Sequence, residues 1–407
     1  MSFIYKTSIY KTSILILIAI ILFKLILMII SNTSSGFWLT QPVFHIHNIS
    51  YWIKPIGIVN KSPPHITKFV NNVNTKTIKI PSCLKEYNDA PYIKRICSFI
   101  QNNYMIHELV SYNPSFDDII AYLECNKHPS FFITYEEHDL QVNGIELERK
   151  ILGTMTARIL TLSIKNKSSF DNFSVYYVDN LCVEPCNRKR GITPQLIQTM
   201  YYNVSREITS VNVYMFKREM KLNNIIPLTY YNTLCFDTQN MTSLYKHTTH
   251  DLIEISDTNI NLFIDFILFN KSRFECIVLP DDSSLLNLII KKKITIYLYI
   301  VNTVVLLSIV YRNTSLAYCN TNAIECISIV SILNDYTDDD LIFRLFCESI
   351  VKQGNSGILL IDDVSDSKKV ITKLTNSFKL AFKLPTAFYL FNYICYSHDK
   401  YKSLLIY

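Results

Sequence analysis

Glycine is scarce, 7 residues in 407, and the shortage accompanies an abundance of Ile, Asn, Lys and Tyr that reads as the codon usage of an AT-rich genome. The same bias generates N-x-S/T triplets at Asn32, Asn166, Asn203 and Asn313, so these carry no weight as glycosylation sites. The 11 cysteines, an odd number, lack paired spacing, which fits free thiols in a reducing compartment better than a disulfide framework. Cys182-x-x-x-Cys186 has no nearby His and no second Cys pair, so a four-ligand zinc set is missing and no metal is expected. The nine histidines form no H-E-x-x-H pair. His45-Ile46-His47 would face one side of a strand, lacks a third ligand and reads as ordinary surface. Basic residues are not concentrated either: a net charge of +6 is spread among Ile, Asn and Tyr, which gives no case for nucleic acid. What is present is hydrophobic content of 49%, ample for a core, in a chain long enough for one large or two medium domains.

No low-complexity linker follows Thr33. Between Phe37 and about Asp237 the pattern alternates strands and helices, with strands predicted at Phe131 to Tyr135, Ile151 to Ile159, Val175 to Val183 and Val211 to Phe216. A polar stretch from His247 to Ile260 marks a boundary, after which the plan repeats. Ile294 to Val301 and Thr303 to Tyr311 read as a hairpin, Ile324 to Ile332 as a strand and Leu341 to Lys352 as a helix. Gly357 to Ile361 and Phe388 to Cys395 complete the series. Asp338-Asp339-Asp340 reads as the acidic first turn of its helix, favoured by the dipole, rather than as a metal cluster. The fold class is α/β (α+β), in two similar halves, 37–237 and 250–407, preceded by a tail (1–13) and a hydrophobic helix (14–30).

The most telling segment is Asn180 to Ile197, NLCVEPCNRKRGITPQLI. Val175, Tyr176, Tyr177, Val178, Leu181 and Val183 suit a half-buried pleated surface, and Pro185 ends the strand. From Thr193 onward Leu196, Ile197 and Met200 recur at helical spacing, with Pro194 in the first turn, where a missing N–H is harmless. Between them lie Arg188, Lys189, Arg190 and Gly191. A basic turn at a helix N-terminus, where N–H groups are unpaired and the dipole is positive, suits a phosphate or pyrophosphate. Chemistry alone leaves a solvated basic turn equally open.

This strand, turn and helix resemble motif A of the GCN5-related acetyltransferases, with Arg188 and Gly191 on its R-x-x-G turn. They resemble more closely the glycylpeptide N-tetradecanoyltransferases (N-myristoyltransferases), with Leu181, Cys182, Val183, Arg188, Arg190, Pro194, Leu196 and Ile197 near or on the family's F-L-C-V, five residues and R-x-K-R-x-A-P-x-L-I. FWLTQPV, Phe37 to Val43, is similar to the family's F-W-x-T-Q-P-V, and FYLFNYIC with the tail Ser403 to Tyr407 to its Y-Y-L-Y-N-W-x-C and hydrophobic end. Weaker echoes lie at Ile80-Pro81 before Tyr87, Asn103-Tyr104, Tyr112 to Phe116 and Lys150 to Gly153.

The resemblance implies tandem acetyltransferase-like halves related by a pseudo-two-fold, the first holding acyl-CoA and the second most of a peptide groove. It implies transfer of a myristoyl group from myristoyl-CoA, as co-substrate, to the N-terminal glycine of proteins or peptides. The oxyanion hole would be the backbone N–H groups of Asn180 and Leu181, and the base the terminal carboxylate of Tyr407. Phe37 and Trp38 would cover the thioester, and Leu181, Cys182, Val183, Arg188, Lys189, Arg190, Gly191, Ile192 and Thr193 would hold acyl-CoA. Asp179, Tyr214, Met215, Tyr231, Ser328 and Asp363 fall on acceptor positions. Asn180 replaces an aromatic, Met215 a Thr, Tyr231 a His and Asp179 an Asn, and the family's acidic run after N-Y is replaced by Met105 to Glu108, so altered acceptor specificity is expected.

Ile14 to Ile30 is nearly unbroken Ile, Leu, Phe and Met and reads as a membrane anchor, with Lys24 costing about 3 kcal/mol at the bilayer centre. Lys6 and Lys11 before it would place the body across the membrane. Acyl-CoA chemistry and free thiols place it in the cytoplasm, and that is the expectation adopted, for a monomer that binds no nucleic acid. Two rivals remain open: a small-acyl N-acetyltransferase on the same scaffold, and a membrane-tethered acyl-CoA or peptide binder without turnover.

Overall fold

Two strand–helix–strand units, built alike and lying in one sheet, organise the molecule. In the first, Lys150–Asn166 and Ser169–Val183 form a long antiparallel hairpin, and helix Ile192–Glu207 crosses to Tyr214–Glu219, parallel to the hairpin's second strand. In the second, Val304–Tyr318 and Thr321–Ser331 form the hairpin, and helix Tyr336–Lys352 crosses to the parallel strand Ile358–Asp362. Parallel neighbours require such a crossover. The closing strands are exchanged: Thr229–Asp237, from the first half, pairs with Ile358–Asp362, while Leu380–Phe391, from the second, pairs with Tyr214–Glu219. These two also pair with each other at the centre. Among the described residues fifteen strands share this sheet.

The computed structural model describes residues 15, 18–19, 21–22, 34–80, 90–105, 110–137, 149–167, 169–222, 224–238, 252–318, 321–333, 336–354 and 357–407. The expected membrane helix, residues 14–30, thus falls largely outside the described residues; Leu15, Ile18, Ala19, Ile21 and Leu22 of it are helical and exposed. Among the described residues no helix is long and apolar enough to cross a membrane.

Each crossover helix covers one face of its own half. Leu196, Met200 and Val204 pack on Phe131, Met155, Tyr176 and Tyr214, while Ile342, Leu345, Phe346 and Ile350 pack on Ile309, Tyr311, Ile329 and Ile361. A third cluster serves both halves and contains Tyr177, Met215, Ile327, Val330 and the tail Leu404–Tyr407. Strand alternation decides this division, because neighbouring residues such as Tyr176 and Tyr177 face opposite sides.

Several expected boundaries shift. Val304–Tyr318 runs beyond the expected end at Tyr311, since its far end pairs with Val110–Tyr112. The polar stretch at the boundary holds a short strand, Leu252–Glu254, that pairs with Ile294–Val301. His45 is a correction. It is buried at 4% exposure in an antiparallel bridge to Ile225, with Nε2 3.0 Å from the Gln41 carbonyl, whereas His47 is exposed. Asp339 lies 2.7 Å from Lys369, and Asp340 also pairs with a lysine, Lys373.

Candidate active site

The basic turn sits where the sequence pattern puts it. After Val183 a single turn, Pro185–Asn187, leads to Arg188, Lys189, Arg190 and Gly191, and helix Ile192–Glu207 begins. Lys189 (φ 65°) and Gly191 (φ 79°) are both left-handed, a conformation that glycine alone adopts without penalty. Arg188 ties the turn to the strand by donating from Nε to the Val183 carbonyl at 3.2 Å, and Arg190 pairs with Glu137 at 2.8 Å. Lys189 has no ion pair among the described residues. Arg188, Lys189 and Arg190 are exposed, while Ile192 is buried and Thr193 half-buried. The helix start lies tight on the sheet through Gly153, where a Cβ would stand 3.1 Å from Ile192 Cγ2 and 3.3 Å from the Cys182 carbonyl. A larger residue there would press the helix start away from the sheet by a few tenths of an ångström.

Just before the turn the sheet opens. Parallel pairing between Ser169–Val183 and Tyr214–Glu219 stops at Val178 and Phe216. On the other side the register slips: Thr156 pairs with Asp179 and Thr154 with Cys182, so Asn180 and Leu181 together oppose Met155. This is a bulge, with Asn180 at φ 52°, and bulges re-aim backbone groups beside functional sites. The Asn180 N–H points to Asp179 Oδ1 at 2.8 Å, and the Asn180 amide donates to Thr156 Oγ1 at 3.2 Å.

A cavity of about 550 Å³ runs from this opening to the junction of the halves. One end is apolar, walled by Trp38, Met155, Ile197, Met200, Tyr201, Phe216 and Phe391. Trp38 stacks on Phe216 with centroids 5.5 Å apart. Asp179, Asn180, Leu181 and Tyr214 line the middle. The other end is ringed by Tyr104, Tyr112, Tyr122 and Tyr177, with Arg158, Lys217, Arg312 and Glu325.

These charges are buried. Glu325 accepts from Arg312 Nε at 2.8 Å and from Lys217 Nζ at 3.3 Å. Burial opposes ionisation of Glu325, but Arg312 and Lys217 outweigh it and hold the carboxyl below its usual range. Asp362, behind the cavity wall, accepts from Tyr231 Oη at 3.1 Å and Thr233 Oγ1 at 2.5 Å. Burial pushes its pKa up to about 6, against the pull of Lys217. The Tyr407 hydroxyl accepts a hydrogen bond from Lys217 and donates to Asp362 at 3.4 Å, and its ring lies under the Arg312 guanidinium at 4.4 Å. Tyr407 is fully buried and packs on Phe388 and Tyr177, with centroids 5.0 and 5.8 Å away.

Of the residues singled out in the sequence, Trp38, Asp179, Asn180, Leu181 and Tyr214 come together on the cavity. Phe37 is buried behind Trp38, edge-on to Phe69 at 5.2 Å. Cys182 and Val183 are buried in clusters on the far side of the bulge. Met215 and Tyr231 are in the shared core, with Tyr231 reaching the polar cluster through its hydrogen bonds with Asp362 and Tyr407. Ser328 Oγ is 3.5 Å from Ser365 Oγ, and Asp363 pairs with Lys400; neither lines the cavity. Arg158, Lys217, Arg312, Glu325 and Asp362 escaped the sequence reading. Their signal is a charge at an inward-facing register of an apolar strand, as in Met155-Thr156-Ala157-Arg158-Ile159-Leu160.

No protein-family model matches the chain, and no curated protein matches it. Solved structures do. A Saccharomyces cerevisiae N-myristoyltransferase with bound myristoyl-CoA superposes with a TM-score of 0.67 at 14% identity, covering 89% of this chain and 93% of that one. A second structure of that enzyme with myristoyl-CoA gives 0.68 at 13% identity, with 89% of each chain covered. One with myristoyl-CoA and inhibitors gives 0.65 at 13%, covering 92% of this chain and 93% of that one. Over nearly its whole length, the chain has the fold of an N-myristoyltransferase.

Proposed function

We propose that the protein is an acyl-CoA-dependent N-acyltransferase that moves a long acyl chain, myristoyl in the first instance, from CoA to the amine of an N-terminal glycine. One observation carries the reading: a single cavity joins an apolar end, opened by the splayed strands behind a basic helix start, to a buried polar end at the junction of the halves. Arg188, Lys189, Gly191 and the first N–H groups of helix Ile192–Glu207 would hold the diphosphate. Trp38, Ile197, Met200, Tyr201 and Phe391 would cover the acyl chain.

Attack on the thioester needs stabilisation of the oxyanion and removal of a proton from the ammonium. The bulge backbone at Asn180 and Leu181 would supply the first. The terminal carboxylate of Tyr407 would supply the second, with Asp179 holding the ammonium; burial raises a carboxylate's pKa toward that of the amine. Binding without turnover remains the second reading, and one feature favours it: the Asn180 N–H already points to the Asp179 carboxylate.

Incubating the full chain with labelled myristoyl-CoA and Gly-initiated peptides tests the proposal. Label on the glycine amine supports it; tight acyl-CoA binding with no transfer supports the second reading, and transfer from acetyl-CoA alone supports a small-acyl enzyme. Membrane attachment through residues 14–30, with the body on the cytoplasmic side, belongs to the same proposal. Alkaline extraction and protease protection of the expressed chain decide it.

A further inference from the structure

Arg158 is a charged residue that the scaffold does not use. It lies in the strand Lys150–Asn166 at 3% exposure and lines the cavity. Its guanidinium rests between two aromatic rings, 4.9 Å from the Tyr122 centroid and 5.2 Å from that of Tyr177. Among the described residues no carboxylate forms an ion pair with it, Asp179 attracting it only from beyond contact distance, and its NH1 is buried without a hydrogen-bond acceptor. The other buried cations are committed, since Arg312 and Lys217 share Glu325. Burial of an unpaired guanidinium is costly, and aromatic faces offset only a part of that cost. A site that keeps such a group is built for an anion from outside.

The register says where that anion would lie. Thr156 pairs with Asp179 and Arg158 with Tyr177, so Asp179 and Arg158 face the same side, two register positions apart on neighbouring strands. Diagonal same-face neighbours on adjacent strands lie about 7–8 Å apart. That is also about the reach from a peptide's first nitrogen to a carboxylate on its second or third side chain. With the glycine ammonium at Asp179, an acidic side chain at either position meets Arg158. We propose that the cavity selects acceptor peptides with Asp or Glu at the second or third residue after an N-terminal glycine at the first, Arg158 being the specificity-determining contact. This rests on the proposed acylation of an N-terminal glycine, and extends it to the acceptor's chemistry.

The test measures binding and transfer separately, on the full chain. Fluorescent peptides beginning Gly-Asp, Gly-Glu or Gly-Ala-Asp are compared with their Asn, Gln and Lys counterparts, with and without a non-transferable myristoyl-CoA analogue. A buried charge-assisted pair predicts binding about tenfold or more tighter for the acids. Arg158→Gln, confirmed folded by its thermal transition, abolishes the preference, bringing the acid-to-amide binding ratio to about one. Equal binding of acids and amides by the unaltered protein overturns the inference, as does a preference that survives in R158Q. Transfer to the same peptides reports separately on the acylation reading: acid-selective binding with no transfer in any peptide would sink that reading alone.

Discussion

The two halves share one plan, and at matching points they solve the same problem differently. In each, a parallel strand pair separates next to a bulge: after Val178 and Phe216 beside Asn180 in the first half, and after Cys326 and Ile361 beside Ile327 in the second. The first opening remains a cavity. The second is filled by the chain's own tail: the Ser365 N–H donates to the Lys400 carbonyl at 3.0 Å, Ser365 Oγ donates to the Ser403 carbonyl at 2.7 Å, and Leu404–Tyr407 pack with Ile327, Val330 and Val364. A splayed strand pair exposes apolar surface that something must cover. In one half that cover is covalent and permanent, and in the other the proposed acyl-CoA would supply it.

The sharpest way to break this comparison is to delete the tail. Leu404, Leu405, Ile406 and Tyr407 are fully buried, and each such side chain contributes about 1.5–3 kcal/mol. Their removal therefore takes away most of the stability of an ordinary domain, and the truncated chain is expected to lose its cooperative thermal transition. Ile197→Ala, which trims the wall of the open cavity in the first half, is expected to cost only on the order of 1–2 kcal/mol in a urea melt, because its side chain already borders empty space.

Next in size is Arg312→Met. It strands Glu325 with only Lys217 beside it, and losing one partner of a buried pair costs about 3–5 kcal/mol. Glu325→Met, which leaves Arg312 and Lys217 both buried without their shared carboxylate, should cost at least as much in the same melt. Gly191→Ala should cost about 1–2 kcal/mol through its left-handed backbone and weaken acyl-CoA binding, read by calorimetric titration.

The smallest effect is a pH slope. Asp362 titrates near 6 in the folded protein but near the ordinary 3.8 once unfolded. Between those values only the folded state holds the proton, so this group's contribution to stability falls as pH rises through the window and stays lost above it. Glu325 has the opposite sign: its contribution is present above the ordinary 4.5 and disappears as pH falls through its depressed value. Urea melts between about pH 4 and pH 7 should show a shallower decline with rising pH in Asp362→Asn than in the unaltered protein.

The strand, basic turn and helix at Ser169 to Glu207 were legible because local chemistry fixes them: β-branched and aromatic residues, Pro185, then Gly191 at a left-handed position. The repeat of the plan in the second half was legible by the same signals. The exchange of Thr229–Asp237 and Leu380–Phe391 was not, since pairing between strands that far apart leaves no trace in either one. The polar cluster was hidden for a related reason. Lys217, Arg312, Glu325 and Asp362 come from four strands, and each looks like an ordinary outward-facing charge until the sheet places it inside. Asp362 and Asp363 show how fine the distinction is: adjacent on one strand end, one is buried with Tyr231 and Thr233, while the other pairs with Lys400.

The central claim is that a fatty acyl-CoA completes the first half as the tail completes the second. A crystal structure of the full chain with a thioether analogue of myristoyl-CoA tests it most directly. The account predicts the diphosphate on the turn from Arg188 to Thr193 and the acyl chain between Trp38, Ile197, Met200 and Phe391, ending its thioether beside Leu181. An analogue bound elsewhere, with that cavity still open, would contradict it.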